Sequence, residues 1–285
     1  MTVSVVVPAH NEAAVIHRLL DQFEPYAGQG LLRLVIACNG CTDDTVAIAR
    51  RTAPAAIVLD LRTVSKTAAL QTADALCGDD FPRFYVDADV VISGEGLMTL
   101  ARRLDSGDLL AVAPVVRYDT SGASWLVRRH ARMFELLEPH GGGIHGTGVM
   151  GVTAAGRRRF DTWPDAIADD YFLDGLFDPR ERARLPEVEV AVAVSRRLPD
   201  LVRRRSRVLR ANADIHRRGL RETSPPRVRG IADVVRSRPS RVVDAMVYVG
   251  VALLCRVAGW YEGRKGPATF SRDDSRQHLR QDGGV

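Results

Sequence analysis

Short apolar runs alternate with helix-like segments over the first hundred residues of the chain. Four of the runs are rich in apolar and β-branched side chains, which is typical of buried strands. They lie at residues 3–7, 32–37, 57–59 and 83–86. Helices are predicted from residue 11, from residue 42 and over residues 65–77, the first because its apolar residues recur three and four positions apart. This alternation predicts an α/β fold with a mostly parallel sheet, whose ligands bind beyond the carboxyl ends of the strands.

The second half of the chain is less regular. Three further strands are predicted, at residues 109–116, 149–152 and 187–194. A glycine-rich loop at residues 141–148 leads into the second of them. A short helix is predicted at residues 169–177, and a longer arginine-rich helix extends from Pro199 to about Leu220.

Two prolines mark the end of the arginine-rich helix. Pro225 and Pro226 cannot continue a helix, because proline lacks the backbone N–H and clashes with the preceding turn. We therefore expect a domain over residues 1–220, made of halves 1–105 and 106–220. A helical extension with a polar tail is expected over residues 221–285.

Two carboxylates follow the fourth predicted strand. Asp87 and Asp89 lie two positions apart, so an extended backbone places both side chains on the same side. Mg²⁺ commonly binds through one or two carboxylates plus substrate phosphates, and Asp87-Ala88-Asp89 is suited to that arrangement. We therefore expect a divalent cation, Mn²⁺ or Mg²⁺, as the cofactor.

Arginine is concentrated in one segment of a chain whose net charge is only +5. Residues 196–241 hold 15 arginines against four acidic residues, a local balance of +11 that leaves the rest of the chain at about −6. Such a basic block could bind phosphates, nucleic acid or an anionic membrane. The simpler alternative is that the arginines form the solvent-exposed face of a helix. Aromatic residues that could stack on bases are not interleaved with these arginines, so no nucleic-acid partner is expected.

The four cysteines do not form the pattern of a disulfide-rich domain in a chain of this length. Cys38 and Cys41 have CxxC spacing, but a zinc site would need two more ligands at suitable spacing. A redox role remains the alternative. We expect a cytoplasmic location, because structural disulfides belong to oxidising compartments.

The order of these motifs resembles that of family 2 glycosyltransferases with the GT-A fold. The segments that carry the resemblance are residues 5–12 (VVVPAHNE), 37–45 (ACNGCTDDT), 66–70 (KTAAL), 87–89 (DAD) and 169–170 (DD). The resemblance covers residues 1 to about 200. It implies a nucleotide-sugar-binding half at residues 1–105 and an acceptor half at residues 106–220.

The resemblance also implies which residues bind the donor. They are Pro8, Ala9, Glu12, Asn39, Lys66, Asp87, Ala88 and Asp89. Asn39 stands where many members of the family carry an aspartate that contacts the base, so the expected UDP-type donor is less firmly implied. Asp43 would support the loop beside the base, or act only as a helix cap. Lys66 would lie near the donor diphosphate or base, or be a solvated surface lysine.

On the acceptor side, the resemblance places a catalytic base at the start of a short helix. Asp170 is the first candidate and Asp169 the second, with simple helix capping as the alternative. The small-residue loop beneath donor sugar and acceptor corresponds to His145, Gly146, Thr147 and Gly148. An ordinary loop histidine is the alternative for His145.

The arginine-rich helix and the segment after it suggest two further contacts. In relatives, a basic segment here holds the leaving diphosphate or a lipid phosphate, which makes Arg203 and Arg205 candidates. The apolar residues 245–255 are too few to span a bilayer by themselves. We expect a helix over residues 242–260 that lies on a membrane surface, packs against a partner or packs against the catalytic domain. The first option would place the protein at the inner face of the membrane.

The function expected from these features is metal-assisted transfer of a sugar from a nucleotide-diphosphate donor to an acceptor hydroxyl, with inversion. The acceptor could be a small molecule, a glycan or a lipid. Two alternatives remain open: a retaining GT-A glycosyltransferase, and a catalytically silent protein that binds a nucleotide or another anion.

Overall fold

The computed structural model describes residues 2–137, 143–223 and 229–263 of the 285-residue chain. Within these residues, seven strands form one sheet in the order β3-β2-β1-β4-β6-β5-β7. They are β1 (Val3–Ala9), β2 (Leu32–Asn39), β3 (Ile57–Leu61), β4 (Arg83–Val86), β5 (Ala111–Asp119), β6 (Val149–Val152) and β7 (Arg182–Ala193). Strand β6 is antiparallel to its neighbours β4 and β5, and the other pairs are parallel. The predicted α/β fold with a mostly parallel sheet is therefore confirmed.

Helices cover the sheet and extend beyond one edge of it. They are α1 (Ile16–Ala27), α2 (Thr45–Thr52), α3 (Lys66–Ala75), α4 (Gly94–Asp105), α5 (Trp125–Leu137), α6 (Ala154–Arg157), α7 (Asp169–Asp174), α8 (Leu198–Arg217), α9 (Ile231–Ser237) and α10 (Val242–Gly263). A 3₁₀ turn, Pro239–Arg241, precedes α10.

The central strand β1 shows why the sheet is covered on both faces. All seven of its residues are buried, as expected for a parallel strand between two helical layers. Successive side chains point to opposite faces. Val5 and Val7 pack in the same core cluster as Leu20 of α1, whereas Val6 packs in the cluster of Leu70 from α3.

Several element boundaries differ from the sequence-based predictions. Helix α1 begins at Ile16 rather than at residue 11, because Asn11 has a left-handed backbone (φ 54°) and its side chain accepts a hydrogen bond from Thr42 N. Strand β7 begins at Arg182, well before residue 187, because its pairing with β5 continues on both sides of a bulge at Pro114 and Val115. Helices α4 and α5 were not predicted.

Three predictions fall on residues outside the described ranges. These are the first two glycines of the loop at residues 141–148, the proline break at residues 224–226 and the polar tail after Gly263.

Helix α10 packs against α5 and α8 along one side only. Its buried side includes Val251 and Cys255, and the carbonyl oxygen of Cys255 accepts a hydrogen bond of 3.0 Å from Ser206 Oγ in α8. Asp244 is fully buried and pairs with Arg129 of α5 at 3.0 Å and with Arg241 at 3.1 Å. These contacts hold α10 along the surface formed by α5 and α8.

The opposite side of α10 is apolar and exposed. We call it the outer face of α10; it comprises Val242, Met246, Val249, Leu253, Leu254, Val257, Trp260 and Tyr261. Within the described residues, one segment, Pro239–Tyr261, is long and apolar enough to cross a membrane by length and composition. Large contiguous apolar patches of this kind mark interaction surfaces.

Candidate active site

One cavity of about 530 Å³ lies beyond the carboxyl ends of β1 and β4. The predicted residues that line it come from both halves of the chain. They are Glu12, Lys66, Asp87, Asp89, His145, Gly146, Thr147, Gly148, Asp169, Asp170 and Arg205. The structure therefore brings the DxD segment, the small-residue loop and the Asp169-Asp170 pair together at the edge of the sheet where the parallel topology predicts a ligand site.

Lys66 links the two acidic segments. Its Nζ lies 2.8 Å from Asp87 Oδ1 and 2.9 Å from Asp169 Oδ2. Burial alone would lower the pKa of Lys66, but the charges of Asp169 and Asp87 outweigh it and raise the pKa, so the amine stays cationic. The surface-lysine alternative is therefore wrong. Ser65 Oγ accepts a hydrogen bond from Ala68 N and so caps α3 at the residue before Lys66.

The two carboxylates at the start of α7 differ in environment. Asp169 is buried against Lys66, and burial raises the pKa of Asp169 to about 6, although the Lys66 charge offsets part of that effect. Asp170 is more exposed and lines the cavity. Its Oδ2 accepts a hydrogen bond from Gly146 N at 2.8 Å, and its Oδ1 accepts one from Tyr171 N at 2.7 Å. Asp170 is thus both oriented and accessible.

The small-residue loop packs against the DxD segment. Asp87 N donates a hydrogen bond of 2.8 Å to Gly148 O. Gly148 has φ +71°, and a Cβ there would lie 2.4 Å from Val90 Cγ2, so both the backbone conformation and the close approach require glycine. Thr147 is buried, and its hydroxyl donates to Val149 O at 2.6 Å, which holds the loop against β6.

A buried ion cluster supports the same loop from below. Asp174, at the end of α7, is fully buried and pairs at 2.7 Å with Arg182 and with Arg221. Burial alone would raise the pKa of Asp174, but contacts with His145, Arg182 and Arg221 hold it well below its usual value. His145 Nδ1 lies 3.3 Å from Asp174 Oδ2, so His145 is anchored by this cluster while its ring lines the cavity. The sequence alone does not indicate this cluster, because Arg221 lies 47 positions from Asp174 in the chain.

Three other donor-side candidates are not part of the cavity lining. Pro8, Ala9 and Asn39 are buried and do not line the cavity, and the side chain of Asn39 donates a hydrogen bond of 3.0 Å to Ala9 O. The Asn39 amide therefore joins the ends of β1 and β2. Asp43, two residues before α2 begins, accepts hydrogen bonds from Thr45 N at 3.1 Å and from Ala13 N in the loop after β1 at 3.2 Å. Asp43 thus connects the start of α2 to the loop after β1.

Helix α8 contributes arginines to the opposite wall. Arg204, Arg205 and Arg207 line the cavity, whereas Arg203 points to solvent, is 74% exposed and pairs with Asp200. The structure thus places Arg205 at the site and Arg203 away from it.

Asp87 and Asp89 have the chemistry to hold a divalent cation. Carboxylate oxygens are the ligands that Mg²⁺ and Mn²⁺ prefer. Both carboxylates line the cavity, so their oxygens face space in which a ligand could bind. No group of three or more His, Cys, Asp or Glu side chains suited to a metal occurs in the described ranges, which also leaves Cys38 and Cys41 without further zinc ligands there. The residues fit a cation shared with donor phosphates.

Comparisons with known proteins agree with this geometry. The family model "Glycosyl transferase family 2" matches residues 4–162. The fold is similar to that of a mannosyltransferase from Pyrobaculum calidifontis, solved with GDP-Man and Mn²⁺, at 19% identity and a TM-score of 0.60, covering 94% of this chain and 76% of that one. It is also similar to glucosyl-3-phosphoglycerate synthase from Mycobacterium tuberculosis, solved with Mn²⁺, uridine diphosphate and glucosyl-3-phosphoglycerate. That comparison has 20% identity and a TM-score of 0.51, and covers 75% of this chain and 79% of that one.

A search of curated proteins gives no match. At these identities the structural likenesses show the shared fold, whereas the family model spans more than half of the 285 residues. On that match, the chain belongs to glycosyl transferase family 2 and is a glycosyltransferase with the GT-A fold.

Proposed function

We propose that this enzyme transfers a sugar from a nucleoside-diphosphate donor to an acceptor hydroxyl by a single displacement with inversion. The observation that carries the proposal is that Asp170, Asp87 and Asp89 line one cavity, with Asp170 held by Gly146 N at 2.8 Å. Inverting transfer needs a base opposite the leaving diphosphate, and the chain supplies an oriented carboxylate separate from the DxD pair.

Each residue has a defined task in this mechanism. Asp170 accepts the proton of the acceptor hydroxyl at an oxygen that retains a lone pair beside its backbone hydrogen bond. Lys66 remains cationic between Asp87 and Asp169 and keeps positive charge close to the donor phosphates. Gly146 and Gly148 let the backbone approach the transferred sugar closely. Asp87 and Asp89 would hold a divalent cation, whose positive charge would stabilise the leaving diphosphate.

Donor binding provides the direct test. With Mn²⁺ and a hundredfold excess of UDP or GDP over its Kd, we expect the melting temperature to rise by at least about 5 °C. Asp89→Asn should abolish this shift, whereas Asp44→Asn, an exposed carboxylate outside the cavity, should retain it. Equal shifts in both variants would contradict the role of Asp89.

Proton NMR of the transfer product tests the stereochemistry of the reaction. A product with the anomeric configuration of the donor would exclude single displacement.

We also propose that the outer face of α10 rests on an anionic membrane surface. The face ends in Trp260 and Tyr261, which are 55% and 59% exposed, and such aromatic residues favour the membrane interface. Exposed arginines lie nearby, including Arg256 on α10 and Arg236 on α9. Juxtamembrane arginines contribute about 1 kcal/mol each with anionic lipids. The contacts of α10 with α5 and α8 favour a helix lying along the surface over one that spans the bilayer.

This membrane contact predicts a specific vesicle-binding pattern. The full chain should co-sediment with vesicles containing anionic phospholipid, and less with purely zwitterionic vesicles. Leu253→Asp should weaken binding about tenfold or more, because it replaces apolar burial with a charge. Leu31→Asp, at a residue 40% exposed before β2, is the matched control and should bind normally. The membrane proposal would be contradicted if the full chain did not bind vesicles but formed a dimer in solution that Leu253→Asp dissociates. The outer face of α10 would then be an interface with a second copy of the chain.

A further inference from the structure

Two cysteine thiols meet at the carboxyl ends of β1 and β2. Cys38 lies near the end of β2 and pairs in register with Ala9, the last residue of β1. The backbone then turns at Gly40, whose φ is +58° and whose N–H donates to Leu61 O at 2.6 Å. After this turn Cys41 lies beside the same strand end, with its Sγ 3.5 Å from Ala9 O. The two thiols therefore come together and share a hydrogen bond.

The two thiols differ in accessibility and in charge. Cys38 is fully buried, whereas Cys41 is partly exposed. The hydrogen bond from Cys38, helped by one of 3.4 Å from Asn11 N, lowers the pKa of Cys41 to about 6, although burial opposes it. The same bond between the thiols, together with burial, raises the pKa of Cys38, which stays protonated. Because the thiolate is the nucleophile in thiol chemistry, Cys41 is suited to attack and Cys38 to resolve.

The other two cysteines lack this setting. Cys77 and Cys255 are each only 1% exposed. Burial raises the pKa of both thiols, which keeps them protonated. Buried, protonated thiols react slowly with oxidants. We therefore expect thiol oxidation in the folded chain to begin at Cys41.

Cys41 also contacts the loop that carries Glu12, a residue of the cavity lining. Asn11 N donates to Cys41 Sγ at 3.4 Å, and Asn11 Oδ1 accepts from Thr42 N at 2.7 Å. The next residue, Glu12, donates from its backbone N to Thr45 Oγ1 at 2.8 Å. The loop after β1 is thus attached to the segment after β2 by hydrogen bonds that begin at the Cys41 sulfur. A change at this sulfur alters the support of one wall of the cavity.

We propose that Cys38 and Cys41 form a reversible disulfide that weakens donor binding. A bond to Cys38 draws Cys41 Sγ away from Ala9 O. It also leaves Asn11 N with a poorer acceptor, because a disulfide sulfur accepts a hydrogen bond less well than a thiolate. The loop that carries Glu12 then loses part of its support. The effect on the donor rests on the proposed function, whereas formation of the disulfide does not depend on it.

The oxidant in this step is a low-molecular-weight disulfide of the glutathione type. The Cys41 thiolate attacks one of its sulfurs, the S–S bond breaks, and one small thiolate leaves. The Cys38 thiol then gives its proton to that thiolate, and its sulfur attacks Cys41 Sγ in the mixed disulfide. The bond from Cys41 Sγ to the second small thiol breaks, and that thiol leaves as a thiolate. Two protein thiols are thereby oxidised, and one small disulfide is reduced to two thiols.

The first test measures disulfide formation in the full chain. The reduced protein is treated with glutathione disulfide, denatured, alkylated with iodoacetamide and digested with trypsin. Cys38 and Cys41 lie in one tryptic peptide, residues 34–50. We expect this peptide to carry an internal disulfide and no alkyl group, whereas Cys77 and Cys255 are alkylated. Two alkylated cysteines in this peptide, or glutathione retained on Cys41, would overturn the proposal.

The second test compares donor binding by the reduced and oxidised proteins. Titration with UDP and with GDP, each with Mn²⁺, should give a Kd about tenfold higher for the oxidised protein. Reduction with a phosphine should restore the lower Kd. An unchanged Kd in protein that contains the disulfide would overturn its control of the donor site and leave the proposed function intact. Reduced protein that binds neither nucleotide would instead contradict the proposed function and, with it, this control.

Three variants separate the roles of the thiols. Cys41→Ser keeps a hydroxyl that can donate to Ala9 O but cannot form a disulfide, so its donor Kd should not respond to the oxidant. Cys38→Ala should accumulate glutathione on Cys41, because the resolving thiol is absent. Cys77→Ala is the matched control and should respond as the unmodified chain does. A donor Kd that still rises with oxidant in Cys41→Ser would place the effect at another residue and overturn the proposal.

Discussion

Replacing Asp170 by asparagine is expected to lower the rate of sugar transfer by about a hundredfold to ten-thousandfold, the usual contribution of a positioned general base. Asparagine keeps an oxygen that can accept from Gly146 N, so the loop should remain in place. It cannot take up the proton of the acceptor hydroxyl. The loss should therefore appear in kcat, with little change in donor binding.

The control for this variant is Asp165→Asn, an exposed carboxylate in the loop before α7. It should retain full activity. Transfer rates are measured by release of the nucleoside diphosphate, and donor binding by thermal shift. An Asp170→Asn enzyme with wild-type kcat would remove Asp170 from the mechanism and leave Asp169 as the remaining candidate.

Asp174→Asn is expected to destabilise the fold by about 3–5 kcal/mol, the usual cost of breaking a buried ion pair by removing one partner. The side chains of Arg182 and Arg221 are 3% and 1% exposed, so both would keep a buried charge without this carboxylate. Native proteins have only about 5–15 kcal/mol of stability, so this change removes a large share of it.

Urea denaturation followed by fluorescence measures this effect as a lower midpoint. The control is Asp214→Asn, because Asp214 pairs with Arg217 and Arg218 at the surface and is 41% exposed. Exposed pairs contribute less than about 1 kcal/mol. If the two variants had equal midpoints, the cluster around Asp174 would not be an important source of stability.

The strand-end residues of this site could be predicted from the sequence because local pattern determines them. Asp87 and Asp89 follow an apolar run, and the parallel-sheet rule places such strand ends beside a ligand. The family resemblance, and not the local pattern, predicts Asp170 as a site residue. In the structure its carboxylate accepts a hydrogen bond from Gly146 N. The position of Lys66 between two carboxylates could not be read from its local sequence, because Asp169 is more than a hundred residues away.

The cavity wall formed by α5 and α8 could not be predicted, for a different reason. Val127, Ala131 and Phe134 lie at helical spacing, but periodicity does not say whether a helix faces a core or a cavity. That depends on α8, far along the chain. In a run of consecutive arginines, the sequence does not indicate which side of α8 faces the cavity. It therefore does not distinguish Arg205 from Arg203, which pairs with Asp200 in the structure.

Asn39 illustrates a third limit. The family resemblance implies contact of Asn39 with a base, but its side chain is buried and donates to Ala9 O. An amide side chain can form hydrogen bonds with a ligand or with the backbone of a neighbouring strand. The distances between these groups in the folded structure determine which one it bonds.

The loop of Gly146 to Gly148 has a consequence for the order of assembly during synthesis. It is hydrogen-bonded to Asp87 in the first half of the chain and to Asp170 in the second, and His145 O accepts from Arg184 of β7. Such contacts between distant segments carry a loop-closure cost in entropy, and they need both segments to be present. A nascent chain that ends within α4 contains Asp87 and Asp89 but lacks the loop and Asp170. The segment from His145 to Gly148 therefore makes its full set of described contacts only after β7 has been synthesised.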